Sequence, residues 1–195
     1  YEREEFCRVA GETLRPGGLE LTGRGAILAE FAPGDRLLDI GCGPGATLRY
    51  LGGQGCAVCG LDASAELAGR ARDKGPVVRG LGQALPFAGT AFDGVFCECV
   101  LSASGDGPGL LAEIARVLRP GGEIVITTRI GAEAGLRRTV ERALAPVTSR
   151  LGWRTEFSWE RYAAWAAAAP VEIVERRALP PLGHFSLVRL RKRAA

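Results

Sequence analysis

The sequence predicts an α/β domain: a Rossmann-like, doubly wound, mostly parallel sheet with helices on both faces and an antiparallel last strand. Three observations predict it. Short apolar, β-branched runs alternate with stretches of helical spacing from residue 36 to residue 128. The first run, Leu37-Leu38-Asp39-Ile40, breaks into Gly41-Cys42-Gly43-Pro44-Gly45. The last two apolar runs are joined only by Leu179-Pro180-Pro181-Leu182-Gly183, a connection too short for anything but an antiparallel pair.

Taken in order, residues 2–14 have helical spacing and end in the turn Arg15-Pro16-Gly17-Gly18. A second helix is expected over 22–31, with Ile27, Leu28 and Phe31 on its apolar side and Pro33-Gly34 ending it. Strands are expected over 36–40, 56–61, 77–79, 92–100 and 123–128, and helices over 46–51, 65–74 and 110–118. In the last helix Leu110, Leu111, Ile114, Val117 and Leu118 share a face, and Arg119-Pro120-Gly121-Gly122 turns it into the next strand. The strands are apolar throughout, as strands covered on both faces must be. Right-handed crossovers then give a parallel sheet. Helices over 134–144 and 159–168 and strands over 171–178 and 184–192 complete the chain. The final hairpin places the reversed strand at one edge of the sheet.

The 195 residues suit a single domain, organised as an N-terminal helical cap (1–35), a ligand-binding core (36–130) and acceptor-side helices with the terminal hairpin (131–195). A net charge of +3 does not predict a nucleic-acid partner. The basic cluster Arg189, Arg191, Lys192 and Arg193 reads as a solvated strand end and tail, with an RNA or membrane contact as the alternative. No apolar stretch is long enough to span a bilayer and no secretory leader is visible, so no membrane partner is expected. The six cysteines, Cys7, Cys42, Cys56, Cys59, Cys97 and Cys99, read as reduced, partly buried thiols of a cytoplasmic protein. Oligomeric state is not legible.

Open α/β sheets bind ligands beyond the carboxyl ends of their strands. The glycine turn lies at that edge, where glycine allows close backbone approach and a following helix aims free N–H groups at the same spot. Two adenosine ligands fit: a nicotinamide dinucleotide or S-adenosylmethionine. Residues 41–46 nominally satisfy G-x-G-x-x-G/A. Yet Pro44 removes a phosphate donor and Asp39 would repel phosphates. S-adenosylmethionine carries an ammonium and a sulfonium instead. Asp62, in Gly60-Leu61-Asp62-Ala63-Ser64, either accepts both ribose hydroxyls or caps the next helix, a role open to Ser64 as well.

In Cys97-Glu98-Cys99, alternation puts both thiols on one face and Glu98 on the other, near a ligand ammonium or the acceptor. The thiols are either core residues or a soft pair for a thiophilic or metalloid substrate. Cys56-Ala57-Val58-Cys59 has no second half, so no metal site is expected. The sole histidine, His184, opens the final strand, as a general base or as a plain strand-end residue. Arg15 sits in a turn that either folds over the site toward a cofactor carboxylate or merely links two helices. Trp153, Phe157, Trp159, Tyr162 and Trp165 suit a flat or apolar acceptor, or the core.

Five segments occur in order: 37–45, 60–64, Gln83-Ala84-Leu85-Pro86-Phe87, Phe92-Asp93-Gly94-Val95 and 115–122. Together, over about 37–128, they resemble the class I S-adenosylmethionine-dependent methyltransferases, in particular the small-molecule group with an "ALPF" segment. The resemblance implies seven strands with the last antiparallel. It implies that Gly41, Cys42 and Gly43 pass under the methionine part, that Asp39 serves its amino group and that Asp62 holds the ribose. It puts Ala63 on the adenine, Gly82 and Gln83 at the adenine edge, and the end of the 92–100 strand beneath the sulfonium. Leu81 stands where similar sequences often have an aspartate for the adenine amino group. The implied activity is in-line methyl transfer to a small-molecule acceptor, with S-adenosylhomocysteine as product. A non-catalytic S-adenosylmethionine-binding module, a nicotinamide-dependent oxidoreductase and an RNA methyltransferase, which would need a basic face, are the alternatives.

Overall fold

The computed structural model describes residues 18–102, 104–131, 158–179 and 185–194, with the isolated positions 139 and 143. Seven strands form one sheet: β1 (Arg36–Ile40), β2 (Ala57–Asp62), β3 (Val77–Arg79), β4 (Phe92–Glu98), β5 (Leu118–Arg129), β6 (Val171–Leu179) and β7 (Phe185–Lys192). Their order is β3-β2-β1-β4-β5-β7-β6. The described helices are α1 (Gly18–Leu28), α2 (Ala46–Gly53), α3 (Ala65–Ala71), α4 (Gly107–Val117) and α5 (Trp159–Ala168). The helices expected over 2–14 and 134–144 lie outside the described residues, as do Cys7, Arg15, Trp153, Phe157 and His184.

The last strand is antiparallel, as expected, but it is not at the edge. β7 pairs with β5 on one side and β6 on the other, antiparallel to both. Composition explains the swap. In β7, Leu187, Val188 and Leu190 are buried, whereas β6 carries Glu172, Glu175, Arg176 and Arg177 and alternates with solvent. The apolar strand takes the doubly flanked position, and the charged one shields the edge.

Both faces of the sheet are covered. On one, Leu38, Ile40, Val95, Cys97, Ile126 and Val188 pack beneath Leu110, Leu111 and Ile114 of α4 and Tyr162 and Ala166 of α5. On the other, Leu37, Phe96, Val125 and Leu187 meet Leu21 and Ala29 of the α1 segment and Leu51 of α2. α1 lies directly on the sheet at Gly25, where an added Cβ would come within 2.6 Å of Val125.

α1 begins at Gly18, inside the expected turn, and stops before the expected 31. Glu30 takes a left-handed φ of 56°. The Phe31 N–H donates to Ala26 O (3.1 Å) and the Glu30 N–H to Ile27 O (3.1 Å), a paired closure that ends a helix. The released Phe31 ring fills the space over Gly94, where a side chain would strike it at 2.2 Å. Residues 119–122 belong to β5 rather than to a free turn. The register jumps there, from Phe92↔Leu118 to Gly94↔Glu123, around Gly121 at φ 73°.

In the terminal basic cluster Arg193 is exposed, as expected of a tail, but the other three residues are tied to the sheet. Arg189 and Arg191 donate to the buried Glu123 carboxylate (2.8 and 2.6 Å), and Lys192 Nζ donates to Leu118 O (2.6 Å). Nearby, Asp93 accepts from the Arg36 N–H (2.8 Å), Arg36 Nε (3.2 Å) and Arg119 Nε (2.8 Å). Burial alone would raise the Asp93 carboxyl, but these donors outweigh it and hold it below the usual carboxylate range.

Asp93→Asn should therefore lower the unfolding free energy by about 1–2 kcal/mol at neutral pH. Because the folded-state value is depressed, this contribution is present above the unfolded carboxylate value and is lost as pH falls through the lower folded one. Denaturant titrations of both proteins between neutral and strongly acidic pH should show the gap closing at the acid end.

Candidate active site

β1, β2 and β4 run parallel and end on one edge of the sheet, where their last residues meet. The chain leaving β1 turns at once. The Gly41 and Cys42 N–H groups both donate to Leu61 O of β2 (2.7 and 3.1 Å). Gly41, Gly43 and Gly45 have φ values of 73°, 53° and 88°, which side chains resist. At Gly41 space forbids one too, since a Cβ would lie 2.1 Å from Val100 Cγ2.

Asp62, at the end of β2, fastens this turn from the other side. Its Oδ2 accepts the Gly43 N–H (2.9 Å) and its Oδ1 the Ser64 N–H (2.9 Å). Each oxygen keeps a lone pair for a ligand hydroxyl. The helix-cap role falls to Ser64, whose hydroxyl accepts the Leu67 N–H at the start of α3 (3.3 Å). Ala63 between them is exposed.

Glu98, the last residue of β4, is buried. Thr22 of α1 donates to Glu98 Oε1 (3.1 Å), and Thr47 of α2 donates to Oε2 (3.1 Å). The carboxylate thus ties the N-terminal helix to the helix that follows the glycine turn. Sequence reading missed both threonines. Their sole signal is a hydroxyl on the inward stripe of a helix, where apolar residues are the norm.

The alternation expected to set Cys99 beside Cys97 stops at Glu98. Cys99 takes a left-handed φ of 62° and donates its N–H to Thr127 O (2.7 Å). Cys97 is fully buried among the apolar residues under α4 and α5. Burial pushes the Cys97 thiol far up, with the Asp39 charge adding to it. Cys42 is raised by burial and then by Asp39 and Asp62. Neither is a thiolate at neutral pH, so neither is poised as nucleophile or metal ligand. Among the described residues no cluster of histidine, cysteine, aspartate or glutamate could hold a metal ion.

The third strip of the site is the turn after β3. The Gly80 N–H donates to Asp62 O (3.0 Å), and Ala84 N–H closes the turn on Leu81 O (3.1 Å). Gly82 lies against the core, with Leu110 Cδ1 only 2.6 Å from where a Cβ would be. Gln83 Nε2 donates to Ser104 O (2.5 Å), so its side chain braces the loop after β4. Leu81 is exposed.

The structure thus gathers Asp39, Gly41, Cys42, Gly43, Asp62, Ala63, Gly82, Gln83 and Glu98 along one edge. Three carboxylates, on Asp39, Asp62 and Glu98, are buried there. Pro44 leaves the turn one N–H short, which suits a pyrophosphate poorly. A ligand with cationic groups and vicinal hydroxyls suits the donor set, and S-adenosylmethionine has both.

Residues 38–126 match the family described as "Methyltransferase domain". The chain is 34% identical over 174 residues to a phosphatidylethanolamine N-methyltransferase of Cereibacter sphaeroides, covering 83% of this chain and 82% of that one. A SAM-dependent methyltransferase of Methanosarcina mazei superposes with a TM-score of 0.70 at 21% identity, over 87% of this chain and 97% of that one. An N-methyltransferase of Haemonchus contortus, in complex with phosphomonomethylethanolamine and S-adenosylhomocysteine, gives a TM-score of 0.77 at 16% identity, over 97% of this chain and 56% of that one.

Calorimetric titration with S-adenosylhomocysteine should give micromolar-range binding, and Asp62→Ala should weaken it by at least about tenfold. NADH should not bind either protein.

Proposed function

The chain belongs to the class I S-adenosylmethionine-dependent methyltransferases, and on that premise we propose that its acceptor is the amine of a phosphoethanolamine headgroup. The observation that carries this reading is the relative from Cereibacter sphaeroides, which is alike along most of both chains. Family membership also sets aside the nicotinamide-dependent oxidoreductase, in line with Pro44 and Asp39.

The cofactor supplies an electrophilic methyl carbon on a sulfonium. The uncharged amine attacks that carbon in line with the C–S bond. A C–N bond forms, the C–S bond breaks, and its electron pair leaves with sulfur as the thioether of S-adenosylhomocysteine. The nitrogen, now carrying the positive charge, releases its proton to water unless it is already quaternary. The chain contributes placement and exclusion of water. In this reading Asp62 takes the ribose hydroxyls and Asp39 the ammonium of the methionine part, with Glu98 nearby. Gly41, Cys42 and Gly43 let the backbone come close, Ala63 packs on the adenine, and Gly82 and Gln83 meet its edge. The buried thiol of Cys97 takes no part, which argues against a metalloid acceptor.

Methyl-labelled S-adenosylmethionine, offered with phosphatidylethanolamine, phosphoethanolamine and a demethylated quinone in parallel, tests the proposal. Label should pass to an ethanolamine nitrogen at least about tenfold faster than to the quinone, a preference of roughly 1.4 kcal/mol. Label on the quinone alone would contradict it.

A further inference from the structure

A groove of about 200 Å³ runs along the outer side of α1, between that helix and the ends of β6 and β7. Leu21, Ile27 and Leu28 form its helical wall, and Leu179 and Leu187 its sheet wall. Arg24 and Arg177 complete the lining. Ile27 is 78% exposed, an apolar side chain left in water beside an apolar trough. Arg177 is paired with Glu175. Arg24 is exposed and makes no hydrogen bond or ion pair among the described residues.

The groove and the active-site edge lie on the same stretch of the sheet. Glu98 of β4 faces Thr127 of β5, Thr127 faces Leu187 of β7, and Leu187 faces Arg177 of β6. These four residues form one row across the sheet. With neighbouring strands about 4.8 Å apart, Leu187 stands about 10 Å and Arg177 about 14 Å from Glu98 along the backbone. Glu98 and Leu187 both face α1, through Thr22 and Leu21 respectively. Between them the Thr127 hydroxyl is buried with no hydrogen-bond partner. Polarity along the row runs from carboxylate through hydroxyl and leucine to guanidinium.

Apolar walls would contribute nothing to holding a free phosphate monoester, and a free guanidinium would contribute nothing to holding an uncharged hydrocarbon. A single phospholipid offers both an acyl chain and a phosphate. We propose that the groove is the lipid subsite of the acceptor: it takes an acyl chain of one phospholipid molecule while Arg24 takes the phosphate. The acceptor is then the lipid-linked headgroup rather than free phosphoethanolamine. This rests on the ethanolamine reading above, and it gives the protein a contact with lipid that its sequence does not announce.

The test titrates the S-adenosylhomocysteine-loaded protein with dihexanoyl-phosphatidylethanolamine below its micellar concentration, and separately with phosphoethanolamine. Both are then assayed as methyl acceptors. The lipid should bind at least about tenfold tighter than phosphoethanolamine. Ile27→Asp and Arg24→Glu, both at exposed positions, should each weaken the lipid by about tenfold. The affinity for S-adenosylhomocysteine should stay unchanged in both and serves as the control for folding. Absent lipid binding, equal affinity for the two acceptors, or lipid affinity untouched by both substitutions overturns the groove. None of these would touch the headgroup reading if either acceptor is methylated. Groove-dependent lipid binding with no methyl transfer to either acceptor would leave the lipid site standing and overturn the ethanolamine reading.

Discussion

The Asp62 carboxylate, strung between the Gly43 and Ser64 N–H groups, is the interaction on which the proposed cofactor edge depends. A turn with three left-handed glycines has no conformation of its own to prefer. Leu61 O fixes its first two N–H groups and Asp62 fixes the next. Charge-assisted bonds of this kind contribute about 1.5–3 kcal/mol each. The same residue joins the end of β2 to the end of β1, so a ligand arrives at a surface already shaped for it. Pre-shaping matters for a displacement whose rate depends on alignment.

The sheet also sorts its charges by edge. At the N-terminal ends of β1 and β4, Arg36 and Arg119 neutralise Asp93, and farther along the same edge Arg189 and Arg191 neutralise Glu123. At the other edge Asp39, Asp62 and Glu98 are buried; Asp62 is held by backbone N–H groups and Glu98 by the Thr22 and Thr47 hydroxyls. The negative field is thus concentrated at the edge proposed for the ligand, where it would favour a cation over a phosphate. Glu98 extends this order to α1 through Thr22, so the helix that walls the groove is fastened to the end of β4. One helix, α1, thus reaches both the edge at Glu98 and the groove.

Much of this was legible in the sequence, for local reasons. β1, β3 and α5 fall where periodicity and flanking turn or cap residues place them, Ser158 capping α5 by accepting the Arg161 N–H. The glycine turn and Asp62 were legible because their chemistry is written in a few adjacent residues. What escaped is non-local. The short hairpin showed that β6 and β7 are antiparallel but not which of them joins β5. The partners of Arg189 and Arg191 lie 66 and 68 residues away, and Thr22 is 76 residues from Glu98. The left-handed backbone at Cys99 carries no residue signature, so the alternation appeared to run one position too far.

On this proposal the acid-rimmed glycine turn holds an adenosyl sulfonium. A crystal structure of the protein with bound S-adenosylhomocysteine tests it most directly. Both ribose hydroxyls should lie on the Asp62 carboxylate and the homocysteine portion over the Gly41–Gly43 backbone, with the Gly43 N–H still donated to Asp62. A ligand bound away from β1 and β2, or one that breaks the Asp62–Gly43 bond to enter, would contradict it.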